Sequence, residues 1–257
     1  MIEAFHRQRV DGLVVATLQT DRSDAALLRL AEHRMPIVLV GRELEHDMAD
    51  SISAGFRRGG RIATQHLIDL GHRRIAFVGA DLDEASRVTR LQGYVDALKA
   101  AGFRVRPEYV IGSRQAADSP RYSRRGTGYQ ATLQLLKLPS RPTAIFARND
   151  HTAFGVTQAL TEMGLSIPED MSVVGFDNIP MTGLVTPTLT SVSQPTKDEG
   201  RIAVECLLRR IERPDEDTER RKILLECALV VRASSAQLRS QSKKLRGKTT
   251  AKRATSK

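Results

Sequence analysis

Short apolar runs alternate with amphipathic segments along most of this 257-residue chain. The apolar runs are rich in β-branched residues, whereas the segments between them place apolar residues three and four positions apart. Nearly continuous apolar strands separated by helices are typical of a parallel sheet that helices cover on both faces. We therefore predict an α/β fold. The predicted strands are GLVVAT (12–17), PIVLVG (36–41), RIAFVG (74–79), YVIG (109–112), TAIFA (143–147) and SVVGF (172–176).

The predicted helices are amphipathic segments, and several end at a glycine. Gly71, Gly102 and Gly164 each follow such a segment directly, which is the position where a glycine commonly ends a helix. This spacing supports the helix ends that we predict from periodicity. The predicted helices cover 23–34, 57–70, 87–101, 126–137 and 151–163.

The alternation changes after residue 177. A loop with Pro180 and Pro187 leads to the strand-like run LTSVSQ, and a long amphipathic helix follows over 196–211. Two further strand-like runs lie around 222–232. This order indicates a chain that completes one α/β unit and then crosses back to an earlier one.

The basic charge of the chain is concentrated at its carboxyl end. The formal charge is +10, and residues 236–257 carry eight lysines and arginines with no acidic residue, so residues 1–235 carry only +2. A segment of one charge sign with few apolar residues is predicted to be disordered. Such a polycation can bind nucleic acid. It has no aromatic residue to stack on bases, however, so we favour a solvated extension without a specific partner.

No motif for catalysis, metal binding or membrane insertion is evident. Cys206 and Cys227 are the only cysteines, which excludes a disulfide framework and a four-cysteine zinc site. The phosphate-loop, HExxH, GxSxG and GxGxxG patterns are absent. No apolar run approaches the roughly 20 residues of a membrane-spanning helix. We therefore predict a protein that is not an enzyme, with no catalytic residue, metal or cofactor.

Five segments, taken in order, carry a family resemblance. They are HLIDLGHRRIAFVG (66–79), RLQGYVDALKAAG (90–102), RPTAIFARND (141–150), GLSIPEDMSVVGFDN (164–178) and TPTLTSVSQP (186–195). Each resembles the matching stretch of the LacI/GalR family of bacterial transcription regulators, at similar spacings. The resemblance covers about residues 8–235.

The resemblance implies two Rossmann-like lobes of the periplasmic-binding-protein type (type I), with the ligand in the cleft between them. It implies crossovers near His72–Arg73, Ser193–Gln194 and Arg213–Pro214. The N-terminal lobe would comprise residues 1–73, completed by about 194–213. The C-terminal lobe would comprise residues 74–193, completed by about 214–235, and 236–257 would be the basic tail.

The resemblance also implies that part of the family's N-terminal region is missing. Family members carry a helix-turn-helix and hinge of about sixty residues, then a strand, helix and strand, before the segment that matches QRVDGLVV. Met1 of this chain falls inside the helix expected before strand 12–17. We therefore expect an incomplete N-terminal lobe and no DNA-binding headpiece in this chain.

Five residues are the effector-binding candidates. Arg90, Asn149 and Asp177 match family effector contacts residue by residue, and each lies just beyond a predicted strand end. Arg90 donates, Asp177 accepts, and Asn149 can do both, which suits a sugar or another polar metabolite. Tyr122 lies where the family often places an aromatic ring over the ligand. Phe56 is a second aromatic candidate.

Other roles are open for the same residues when the spacing is considered alone. Arg90 can be a surface charge on a helix, and Asn149 or Asp150 can be the N-cap of the helix at 151. Asp177 can form a turn before Asn178. One departure also bears on the ligand. Family members commonly carry Asp-Asn before the helix at 57–70, whereas this chain has Gly55-Phe56, which removes a usual sugar contact and makes the pocket more apolar.

The resemblance implies a cytoplasmic, homodimeric repressor core that binds a small-molecule effector. Operator DNA would be bound only through the missing headpiece, and no membrane partner is expected. The alternative from a different class is a periplasmic-type sugar- or solute-binding protein of a transporter, because such proteins share the fold. An enzyme on the same fold is a third possibility, which the missing motifs disfavour.

Overall fold

The computed structural model describes residues 10–16, 21–32, 35–41, 48–80, 89–112, 126–214 and 219–238, and the structural statements below concern these residues. They form two β-sheets with helices packed on them. The strands are β1 Leu13–Val15, β2 Ile37–Val40, β3 Asp50–Ala54, β4 Ile75–Ala80, β5 Val110–Gly112, β6 Ala144–Ala147, β7 Ser172–Asp177, β8 Thr190–Ser193, β9 Lys222–Leu225 and β10 Ala228–Val230. The α-helices are α1 Asp21–Glu32, α2 Phe56–Asp69, α3 Thr89–Ala100, α4 Thr127–Lys137, α5 Asp150–Glu162 and α6 Thr196–Glu212.

The first sheet has the strand order β1-β2-β3-β9, and its strands are parallel. Helix α6 packs on it through an apolar cluster that includes Val38, Ile52 and Ala203. A second cluster buries Leu27 and Leu30 of α1 with Leu39 of β2. This sheet therefore has a core of its own.

The second sheet has the order β10-β8-β7-β6-β4-β5. All neighbours are parallel except β10, which is antiparallel to β8. One apolar cluster includes Leu67 of α2, Tyr94 of α3 and Phe146 of β6, and a separate cluster includes residues of α4 and α5, among them Leu135 and Leu160. Helices on both faces of a parallel sheet confirm the predicted α/β fold class.

The helix ends confirm the glycine prediction. Gly71, Gly102 and Gly164 lie just beyond α2, α3 and α5, with φ of +87°, +73° and +71°. These are left-handed conformations that favour glycine, because other side chains would be strained there.

Two of the three crossings between the sheets differ from the expected positions. The chain crosses at Gly55 rather than near 72–73, because α2 packs against α3 and the second sheet. It crosses again at Gln194–Pro195, near the expected place. The last crossing lies at Glu226–Cys227 rather than near 213–214, because β9 pairs with β3 of the first sheet and β10 pairs with β8 of the second.

Strand β3 was not among the strands predicted from the sequence. Its sequence, DSISA, is largely polar, yet all five residues are buried. Hydrogen bonds compensate the burial of the charged residue of this strand, Asp50. Its carboxylate receives two hydrogen bonds from the buried Arg210 of α6, of 2.7 and 2.9 Å, and one of 2.8 Å from the backbone N–H of Arg221.

The first residues of the predicted disordered tail are packed against the second sheet. The backbone N–H of Leu238 donates to the carbonyl of Leu70 at 2.8 Å. The buried His72 ring contacts the carbonyl oxygen of Ala236 through Nε2 at 3.1 Å. The prediction of disorder is therefore wrong for 236–238, and residues 239–257 lie outside the described part of the chain.

Candidate functional site

The guanidinium of Arg90 lies in the corner formed by two neighbouring aromatic rings, whose centroids are 6.1 Å apart. Arg90 lies in the first turn of α3, Phe56 is the first residue of α2, and Phe176 lies near the end of β7. The Cζ atom of Arg90 is 4.5 Å from the ring centroid of Phe56 and 4.3 Å from that of Phe176. Both distances are within the range of cation–π attraction. The rings therefore restrict where this guanidinium can point.

Glycine residues allow the helix that carries Arg90 to come close to its neighbour. A Cβ atom on Gly60 of α2 would lie 2.2 Å from the backbone oxygen of Arg90, and one on Gly93 of α3 would lie 2.0 Å from that of Arg57. Neither contact is possible for a real side chain. Glycine at these two positions thus allows the backbone of Arg90 to lie directly against helix α2.

Asp177 faces Arg90 across the site. Its Oδ1 lies 3.5 Å from Nη2 of Arg90, and both side chains are about a quarter exposed. The same oxygen accepts a hydrogen bond from Nε2 of Gln194, which lies in the second crossing. The carboxylate of Asp177 is therefore paired with the guanidinium of Arg90 and also hydrogen-bonded to Gln194, a residue of the segment that joins the sheets.

The backbone at Asp177 has an uncommon conformation. Asp177 and Asn178 have backbone φ angles of +108° and +53°, values that residues other than glycine adopt uncommonly. Hydrogen bonds hold this turn in place. The N–H of Asn178 donates to Oγ of Ser191 at 3.1 Å, and that of Ile179 donates to Oδ2 of Asp150 at 2.9 Å. Strained backbone persists only where the surrounding structure holds it in this way.

Asp150 is a structural carboxylate behind this turn. It is fully buried, and its Oδ1 accepts a hydrogen bond of 2.6 Å from the hydroxyl of Ser191. Burial raises the pKa of Asp150 to about 6, although these hydrogen bonds act in the opposite direction. From the sequence, Asp150 was considered only as a possible N-cap, because its partners lie 29 and 41 residues away.

Burial also affects the charged pair itself. It lowers the pKa of Arg90 and raises that of Asp177, because a low-dielectric environment disfavours charge. Each partner opposes the shift of the other. Arg148, whose pKa burial also lowers, interacts electrostatically with Asp177. The site thus holds charges that a polar ligand can contact.

Asn149 adopts the role of N-cap that the spacing alone allowed. Its side-chain oxygen accepts a hydrogen bond of 2.9 Å from the N–H of Thr152 in the first turn of α5. Such a cap stabilises a helix by about 1 kcal/mol. The two N–H donors of its amide can still bond to a ligand, and its oxygen keeps a second lone pair. The ligand role of Asn149 stays a prediction.

Comparison with known proteins identifies the family. A family model described as "Periplasmic binding protein-like domain" matches residues 64–235. The ribose operon repressor of Escherichia coli (strain K12) is 33% identical over 219 residues, which are 85% of this chain and 64% of the repressor. The repressor PurR of Vibrio atlanticus is 35% identical over 234 residues, 91% of this chain and 66% of PurR.

A solved structure from the same family is similar to this chain in both sequence and fold. A LacI family transcriptional regulator from Enterococcus faecium with bound ribose is 32% identical and superposes with a TM-score of 0.76, covering 93% of this chain and 84% of that one. The chain belongs to the LacI family. It spans about two thirds of the length of the two repressors, 64% for the one from E. coli.

The LacI family assignment confirms the resemblance and the two-sheet fold that it implied. The two curated relatives named above are transcriptional repressors and not enzymes. Within the described part of the chain, no helix is long and apolar enough to cross a membrane. The same part contains no group of three or more histidine, cysteine, aspartate or glutamate residues that could hold a metal ion.

The structure of this LacI family member brings three of the five candidates together. Arg90, Asp177 and Phe56 are in mutual contact or one side chain apart. Asn149 follows β6, which neighbours β7, so it lies at the same edge of the sheet. Tyr122 lies outside the described residues. The sequence missed Phe176 and Gln194, because neither role is visible without knowing which strand ends and crossings meet.

Proposed function

We propose that this chain is the effector-binding core of a transcriptional repressor. A small polar metabolite, such as a sugar, binds at the junction of the two sheets through Arg90 and Asp177, with Asn149, Phe56 and Tyr122 as further contacts. The relatives named as repressors, and the bound ribose in the Enterococcus faecium regulator, support this proposal. They favour it over a solute-binding protein of a transporter.

The observation that carries the proposal is the pairing of Arg90 with Asp177 beside the crossings. Gln194 in the second crossing donates to Asp177, and Phe56, directly after the first crossing, contacts Arg90. A ligand that competes for these charges alters contacts made by the segments that join the sheets. Binding therefore shifts the balance between arrangements of the two lobes.

In this proposal the lobe arrangement is transmitted through a homodimer to a DNA-binding headpiece, in the cytoplasm. Exposed apolar side chains are candidates for the contact between the two copies. Leu184 is 78% exposed and Met163, at the end of α5, is 56% exposed. Sedimentation velocity at micromolar concentration tests this step, and a strict monomer would contradict it. The proposal assigns no operator recognition to residues 1–257.

Calorimetric titration tests the effector site. Ribose and a panel of neutral sugars are titrated into the native chain and into Arg90→Ala and Asp177→Asn. Each variant should bind about ten- to hundred-fold more weakly, because a charge-assisted hydrogen bond contributes roughly 1.5–3 kcal/mol.

The matched control is Arg201→Ala, since Arg201 is an exposed arginine of α6 that pairs with Asp198 and Glu205, two exposed acids of the same helix. It should bind like the native chain. Thermal melts identify any variant that has lost its fold. Equal affinity of the native chain and both site variants for a sugar that binds would refute the assignment.

A further inference from the structure

Two buried polar atoms of opposite character have no hydrogen-bond partner in the described part of the chain. One is Nε of Arg90, which can only donate, and the other is Oε1 of Glu199, a carboxylate oxygen. Buried polar atoms in native proteins are nearly always bonded, so each exception calls for an explanation. These are the two found among the described residues.

Both atoms belong to the same junction. Glu199 lies in the first turn of α6, five residues after Gln194, and is only 4% exposed. The backbone N–H of Ala54, beside the first crossing, bonds to its carboxylate. The thiol of Cys227 in the last crossing interacts electrostatically with Arg90, Glu199 and Asp177. Ala54 and Cys227 pack in the apolar cluster that also contains Phe176 and contacts Phe56, and Arg90 lies on these two rings. Glu199, bonded to Ala54, therefore lies beside this cluster.

A purely structural role does not explain Glu199. The buried face of α6 consists of Glu199, Ala203, Cys206 and Arg210, with the spacing of residues that face a core. The positive charge of the buried Arg210 is compensated by an ion pair with Asp50. Among the described residues, no ion pair joins Glu199 to a cation, and the exposed Asp198 already places a negative charge at the N-terminus of this helix.

We propose that Glu199 is a specificity-determining residue that accepts hydrogen bonds from an amino group of the effector. Arg90 Nε donates to a neighbouring hydroxyl or carbonyl oxygen of the same molecule. The ligand class is a small polyhydroxylated amine, such as an amino sugar. This inference rests on the proposed effector site and deepens it.

The charge of Glu199 favours an amine over a hydroxyl group. Burial raises the pKa of Glu199, and the hydrogen bond from the backbone N–H of Ala54 opposes this shift only in part. A ligand ammonium supplies the missing positive charge and several N–H donors at once. A neutral hydroxyl supplies one donor and no charge, so it leaves most of the cost of burial in place.

Matched sugar pairs test this inference on the full chain. D-glucose, D-galactose and D-mannose are compared by calorimetry with glucosamine, galactosamine and mannosamine, at a pH where the amines are protonated. At least one amino sugar should bind about ten- to hundred-fold more tightly than its neutral counterpart. Glu199→Gln and Glu199→Met should abolish this preference.

The control is Glu205→Gln, on the same helix, because Glu205 is exposed and bonded to Arg201. It should retain the preference, and thermal melts should show that Glu199→Met is folded. Neutral sugars that bind as tightly as the amines, or a preference that survives Glu199→Met, would overturn the inference and leave the proposed function standing. If no compound of the panel, ribose included, binds the native chain, both fail.

Discussion

Replacing Gly60 with alanine tests the close helix contact that positions Arg90. The new Cβ would lie 2.2 Å from the backbone oxygen of Arg90, and an ordinary contact begins at 3.4 Å. Helices α2 and α3 would therefore have to separate by about 1.2 Å. The obstacle is a backbone carbonyl, which cannot rotate away as a flexible side chain can.

The magnitude follows from two opposing terms. Overpacking of this kind costs roughly 1–3 kcal/mol, and the rigid obstacle favours the upper end. Alanine in a helix gains about 0.5–1 kcal/mol over glycine. We expect Gly60→Ala to lower the free energy of unfolding by about 2 kcal/mol, with a loss of ligand affinity because Arg90 moves with α3.

Gly200→Ala is the matched control. Gly200 lies in α6, is exposed, and has no atom within 4 Å of the position of an added Cβ. This variant should be more stable than the native chain by up to about 1 kcal/mol. Urea denaturation followed by circular dichroism measures both. A Gly60→Ala variant as stable as the native chain would show that α2 and α3 are not in this close contact.

Two further predictions concern buried carboxylates. Asp50→Ala should lower the free energy of unfolding by about 3–5 kcal/mol in the same assay, because it leaves the buried Arg210 without its partner, whereas Asp198→Ala, at an exposed pair, should cost less than about 1 kcal/mol. The pKa of Asp150 is about 6 in the fold against 3.8 ordinarily, so the folded state holds its proton more tightly and the contribution of Asp150 to stability should fall as the pH rises from about 4 to 6. Urea denaturation across this range should show that decline in the native chain relative to Asp150→Asn, and identical pH profiles would contradict it.

The regular elements of this fold could be predicted because their signals are local. Buried strands such as β6 and β7 are continuous apolar runs, and the glycines after α2, α3 and α5 mark helix ends through their own backbone preference. The sequence placed Arg90 and Asp177 beyond strand ends, at one edge of a sheet, but spacing alone left other roles open for both, and their pairing is seen only in the structure.

Features that depend on distant partners were decided only by the tertiary structure. Strand β3 is polar, and it is buried because Arg210, 160 residues away, neutralises Asp50. The crossings at Gly55 and Glu226 depend on which sheet each strand joins. Phe56 contacts Arg90 only because α2 packs on α3.

The chemistry of Glu199 likewise cannot be read from its neighbours in sequence. A glutamate in the first turn of a helix is usually a solvated charge that interacts with the helix dipole. Here the packing of α6 on the first sheet removes its carboxylate from water, and Cys227 of the last crossing interacts electrostatically with it. Local sequence therefore determined the elements, whereas burial and charge pairing at the junction arise from contacts between residues far apart in the chain.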